Sequence, residues 1–119
     1  MKLYYMPGAC SLGIHVLLEE IGKPYDLHKV DGAKQEQYGP DFVKLNPKSK
    51  VPTLVRDDRS VLTEYPAIAV WLARKNPEAG LLPSDADAEA RALEAMDYAV
   101  STMHMQGFSR MFRPANYAP

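Results

Sequence analysis

Residues 2–6, Lys-Leu-Tyr-Tyr-Met, form an apolar run that breaks at Pro7-Gly8, and helical periodicity begins almost at once. Ile14, Leu17, Leu18 and Ile21 follow at spacings of 3, 1 and 3, one face of a helix that Gly22 and Pro24 stop. The alternating stretch from Tyr25 to Val30 predicts a second strand, with Tyr25, Leu27 and Lys29 on one side. A strand, a helix and a strand at this spacing leave little freedom. The crossover must be right-handed and the two strands parallel.

Later segments build on that pair. Residues 38–47 predict a loop with a short helical turn, closed by Asn46-Pro47. Two apolar fragments, Pro52–Val55 and Ser60–Thr63, flank the polar turn Arg56-Asp57-Asp58-Arg59 and predict an antiparallel hairpin. A helix runs from about Pro66 to Lys75, since proline suits a first turn and Asn76-Pro77 ends it. The fold class expected is α/β: a mixed four-stranded sheet with flanking helices. The character then changes. Residues 76–91 are rich in proline, alanine and acidic side chains, and residues 78–84 among them read as a linker. Ser84 or Asp85 caps a new helix whose acidic first turns suit its dipole. Leu93, Met96, Val100 and Met103, spaced 3, 4 and 3, mark its apolar seam. Residues 1–77 are thus expected to form an α/β domain and residues 85–119 to open an all-helical one. With no second helix to cover the seam within the chain, dimerisation, swapping or instability is expected of this length alone.

Composition removes several functions. The 119 residues carry a net charge of −1 and no Lys/Arg cluster, so no field favours nucleic acid or anionic lipid. No apolar run approaches the roughly 20 residues a bilayer requires, and Met1–Gly8 lacks the apolar core of a signal peptide. The expected location is the cytoplasm. A single cysteine, Cys10, excludes an intrachain disulfide. Any disulfide chemistry must take its second sulfur from a small molecule or another chain.

Three stretches carry candidate chemistry. Cys10 stands at the mouth of the first helix, where free N–H groups and the dipole favour thiolate, so its pKa is expected to fall. Gly8 and Ala9 leave room for close approach. The competing reading is a small buried hydrophobe. In the second stretch, Asn46–Val55, Val51-Pro52 precedes a strand. A cis bond there would turn the Val51 N–H and C=O outward to pair with an extended peptide; an ordinary trans proline is the alternative. In the third, Leu62–Ala73, Thr63 or Glu64 opens a helix whose free N–H groups suit a carboxylate, while Glu64 could pair with an ammonium group. A solvated capping residue is the plainer reading. His15 and His28 show no metal-ligand spacing with each other or with Cys10, so no metal is expected. Met96, Met103, Met105 and Met111 are read as core or dimer contacts rather than a soft-metal site.

In order and register, "MKLYYMPGACSLGIH", "LNPKSKVPTLV" and "LTEYPAIAVWLA" resemble the thioredoxin-fold domain of cytosolic glutathione transferases, most closely the bacterial cysteine-containing, beta-like type. The resemblance implies that glutathione is a co-substrate and that no other cofactor is needed. It implies that glutathione's cysteinyl backbone pairs with Val51 before Pro52, beside Lys50. The γ-glutamyl end would lie at Glu64 and the N–H of Tyr65, and the sulfur at Cys10 and Ser11. As the group that activates the thiol, Cys10 ranks first, Ser11 second and Tyr5 third. "HMQGFSRMF" is similar to part of the first helix of the second domain, whose histidine reaches the glutathione site; His104 matches it. Asp97, Ser101, His104 and Phe108, spaced 4, 3 and 4, would form one stripe there. Two departures are plain. Tyr65 stands where a serine is common, and Cys10-Ser11-Leu12-Gly13 is not Cys-x-x-Cys.

Conjugation of the glutathione thiolate to a hydrophobic electrophile, in a detoxifying homodimer, is therefore the leading expectation. A glutathione-dependent thiol transferase or disulfide reductase using Cys10 is the second, and a non-catalytic glutathione-binding protein the third.

Overall fold

The computed structural model describes residues 1–112 and 114–117. They fall into two compact units, Met1–Leu81 and Leu82–Pro119. The first holds the strands β1 (Lys2–Tyr5), β2 (Asp26–Lys29), β3 (Thr53–Val55) and β4 (Val61–Thr63). Its helices are α1 (Ser11–Ile21), α2 (Pro40–Leu45) and α3 (Tyr65–Lys75). The four strands lie in the order β2-β1-β3-β4. β1 and β2 are parallel, as the α1 crossover demands, while β1 with β3 and β3 with β4 are antiparallel.

Register explains the core. Leu27, Leu3, Leu54 and Leu62 are aligned across the sheet, so one leucine row crosses all the strands. Its two central members are fully buried, whereas Leu27 on the edge is 43% exposed. Neighbouring residues of a strand face opposite ways. Tyr5 therefore meets His15 of α1 while Tyr4 meets Phe42 of α2, their ring centroids 5.9 Å apart in each case. α1 and α2 thus cover opposite faces. Ile14 and Leu18 of α1 and Ile68 and Leu72 of α3 are all 0–1% exposed, and α3 packs beside α1. This packing sets the N-terminal turns of two helices next to each other.

The loop between α2 and β3 is fixed by a buried amide. Asn46 is 1% exposed; its Nδ2 donates to the Lys50 carbonyl and to Thr53 Oγ1, each at 2.8 Å. Its Oδ1 accepts the Lys48 N–H at 3.1 Å. The Val51-Pro52 bond that this loop carries is cis. The hairpin turn closes through the Arg56 N–H to the Ser60 carbonyl, with Arg59 at a φ of +67°.

In the second unit, α4 (Ala86–Asp97) is capped by Asp85, whose carboxylate accepts the Ala88 N–H at 2.9 Å. The predicted helix continues, with a different winding. From Tyr98 to Phe108 the backbone bonds i to i+5, and the Ser109 N–H closes onto the His104 carbonyl. α5 (Ser109–Phe112) resumes ordinary winding. This corrects the expected stripe of Asp97, Ser101, His104 and Phe108, because a 4, 3, 4 spacing lines up only at the ordinary helical pitch. His104 and Phe108 still adjoin, with ring centroids 6.3 Å apart.

Replacing Asn46 by alanine removes its hydrogen bonds to the Lys50 carbonyl, Thr53 Oγ1 and the Lys48 N–H and leaves a void, so a loss of about 2–4 kcal/mol is expected. Urea unfolding of the two proteins checks it; equal midpoints would show that the amide does not hold the loop.

Candidate functional site

Pro7-Gly8 turns the chain out of β1, and Gly8 takes a φ of +76° that a side chain would disfavour. Cys10 is the N-cap of α1, partly buried, and caps nothing with its side chain. Its Sγ instead donates to the Val51 carbonyl at 3.7 Å. The thiol and the cis-proline loop therefore meet in one contact. The Val51 N–H donates to no protein group among the described residues.

The charge state of that thiol departs from expectation. The N–H groups of Cys10 and Ser11 do favour the anion, and Lys50 adds to them. Burial outweighs both and pushes the Cys10 pKa up, with Glu64 pushing the same way. A dipole argument counts only the favourable donors. It omits the water that an anion loses when partly enclosed.

Ser11 and Tyr5 are placed elsewhere. The Ser11 side chain is fully buried and its hydroxyl both accepts the Met6 N–H, at 3.1 Å, and donates to the Met6 carbonyl, at 3.2 Å. That hydroxyl locks the turn between β1 and α1 and is not offered to a ligand. Tyr5 joins a ring cluster with His15 and Tyr25. Among the described residues no hydrogen bond or charge interaction links Tyr5 to Cys10. Neither hydroxyl fits the role of activating group.

At the mouth of α3, Glu64 is the N-cap with a φ of +74° and a ψ of 127°, and its carboxylate caps no N–H group. Such a backbone costs a residue other than glycine about 1–3 kcal/mol, and strain of this kind gathers at functional sites. Among the described residues the Tyr65 and Ala67 N–H groups find no partner, Pro66 having no N–H to offer. Glu64 is not a lone anion. Lys48 Nζ donates to its Oε1 at 2.7 Å and to Thr63 Oγ1 at 2.9 Å. Reading the sequence had not singled out Lys48. The pair spans sixteen residues, and the only local signal is a lysine immediately after the Asn46-Pro47 turn. Electrostatically the site is one unit, since Glu64 and Lys50 both act on Cys10 and Cys10 acts on Tyr65. His104 lies in the second unit. Among the described residues no three His, Cys, Asp or Glu side chains converge as metal ligands, and no helix is long and apolar enough to cross a membrane.

Comparison with known proteins gives a consistent picture. The family described as "Glutathione S-transferase, N-terminal domain" matches residues 8–75. Glutathione S-transferase GstA of Escherichia coli O157:H7 is 41% identical over 96% of this chain and 57% of its own length. A glutathione transferase homologue from Sulfitobacter, solved with bound glutathione, superposes with a TM-score of 0.90 at 39% identity, over 99% of this chain and 56% of its own. A beta-class enzyme from Sphingomonas chungbukensis gives 0.81 at 37% identity, over 100% of this chain and 58% of its own. The chain thus spans somewhat more than half the length of these relatives.

Because Cys10 is held as a thiol, its alkylation by iodoacetamide should reach half-maximal rate at a pH above that of free cysteine. Lys50→Ala should raise that midpoint and Glu64→Gln should lower it, since the first removes a stabilising charge and the second a repelling one. A midpoint below free cysteine would reverse the account of burial given above.

Proposed function

Because this chain belongs to the glutathione S-transferase N-terminal domain family, we propose that it binds glutathione across the mouths of α1 and α3 and serves a transferase. The observation that carries the reading is the contact of Cys10 Sγ with the Val51 carbonyl, with Glu64 and Lys50 both acting on that thiol. Sulfur site, peptide-pairing loop and ammonium-binding carboxylate are thereby within reach of one tripeptide.

Each part of glutathione has a matching group. Its γ-glutamyl ammonium replaces Lys48 on Glu64, and its α-carboxylate takes the open N–H groups of Tyr65 and Ala67 at the positive end of α3. Its cysteinyl backbone pairs with Val51 beside Pro52. Its sulfur comes to Cys10, whose S–H donates to it, joined by the backbone donors of α1 and the charge of Lys50. Held so, glutathione's thiol gives its proton to solvent more readily. The thiolate then attacks an electrophilic carbon, a C–S bond forms, and the leaving group departs with its electron pair. Cys10 acts as donor in this scheme because burial keeps it protonated.

The finer assignments belong to the same proposal. The electrophile is apolar, which fits Leu12 and Val16, 62% and 50% exposed along α1 just past the sulfur site. His104 approaches glutathione from the helical domain. Residues 1–77, 78–84 and 85–119 serve as glutathione domain, linker and opening of that helical domain. The protein is a cytoplasmic homodimer of the beta-like type. A second reading rests on the position of the one cysteine: Cys10, where glutathione's sulfur arrives, could form a mixed disulfide and act in thiol transfer.

Calorimetry with glutathione tests the binding site. Glu64→Gln should weaken binding about 10- to 100-fold, the worth of a charge-assisted hydrogen bond. Unchanged affinity would remove the ammonium from Glu64, and no binding by the parent chain would favour a protein that kept the fold without the ligand. Cys10→Ser separates the two chemistries. Conjugation should survive within about tenfold, the share of one donor, whereas thiol transfer through Cys10 requires its complete loss.

A further inference from the structure

Tyr65 begins α3, yet its phenol ends on α1. A Cβ built at Gly13 would lie 2.5 Å from Tyr65 Oη, 2.7 Å from Cε2 and 3.0 Å from Cζ. The hydroxyl therefore rests in the hollow where residue 13 lacks a side chain. Gly13 has an ordinary φ, so what it contributes here is room and not conformational freedom. It is the third residue of the helix that Cys10 caps.

The phenol is partly buried, and among the described residues its hydroxyl has no hydrogen-bond partner. The hydroxyl is thus not committed to any protein acceptor and is open to a guest. Burial, and repulsion from an ionised Cys10, both push the Tyr65 pKa up, so the group remains a neutral donor across the useful pH range. A serine at position 65 could reach only the mouth of its own helix. The longer tyrosine passes that point and delivers its hydroxyl to the neighbouring helix.

We propose that the Tyr65 hydroxyl, seated on Gly13, donates a hydrogen bond to the glutathione sulfur anion at the mouth of α1 and is a catalytic residue of the conjugation reaction. The proposal rests on the glutathione site described above. It moves no proton from tyrosine: glutathione's thiol proton goes to solvent, and the phenol keeps its own while stabilising the charge left behind. It assigns the side chain of position 65 to the sulfur end of glutathione, leaving the α-carboxylate to backbone donors, the N–H of the same residue included.

The test is the thiolate absorbance of bound glutathione, titrated with pH in the parent chain, in Tyr65→Phe and in Gly13→Ala. Phenylalanine keeps the ring on Gly13 and deletes only the hydroxyl. Alanine keeps the hydroxyl but adds the methyl group that must displace it. Each variant is expected to raise the thiol pKa of bound glutathione by about one unit, a tenfold loss of thiolate well below that pKa. Glutathione affinity, measured with the thiol protonated, should change less than about threefold, the double variant should add nothing further, and conjugation should fall in parallel with the thiolate. A purely structural tyrosine would leave the titration where it was, and that result in Tyr65→Phe overturns the proposal. If Tyr65→Phe fails to fold, Gly13→Ala decides alone by the same criterion. Calorimetry on the parent comes first, so that absence of glutathione binding, which removes both readings, is distinguished from binding with an unmoved titration, which removes only this one.

Discussion

A single buried amide underlies most of what the first unit can do. Asn46 joins the end of α2 to the Lys50 carbonyl and to Thr53 at the start of β3, and steadies Lys48 through its own oxygen. Every group that faces Cys10 or Glu64 from this side therefore hangs on a side chain with almost no contact with water. An unpaired amide at that depth would be costly, so the loop and Asn46 hold each other in place. The leucine row of the sheet does the same for the helices, keeping the mouths of α1 and α3 adjacent while the loop closes the third side.

The architecture was largely legible in the chain because it follows from local rules. Pro7-Gly8, Gly22-Lys23-Pro24 and Asn46-Pro47 punctuate the elements, and the handedness of the crossover settles how the first strands pair. Asp85 acts as the cap its position suggested. The site was legible only in outline. Cys10, Val51 and Glu64 stand at turns and helix starts, which spacing identifies. Lys48 on Glu64, Ser11 folded back on Met6 and Tyr65 lying on Gly13 are meetings between separate segments, and periodicity says nothing about them. The winding of residues 98–108 escaped for another reason: a change in pitch leaves the same apolar residues in the sequence and only regroups them.

The electrostatics of Cys10 show how two sound rules can oppose each other. Donors at a helix start stabilise an anion, and enclosure destabilises it; here enclosure is the larger effect. A thiol that keeps its proton is a poor nucleophile but still a donor, if a weak one, as the Cys10 contact with the Val51 carbonyl shows. That division suits the glutathione site proposed above, in which the reactive sulfur is the ligand's and the resident one receives it.

Lys48 gives the carboxylate of Glu64 an internal counter-ion before any guest arrives. Under the proposed function, a cationic guest therefore enters by exchange and not by neutralisation, and the pocket's charge is the same empty or filled once Lys48 has swung back into solvent. Affinity at such a site measures the difference between two ammonium groups competing for one carboxylate. Length or branching of the resident cation can then tune retention of the guest without altering any atom the guest touches.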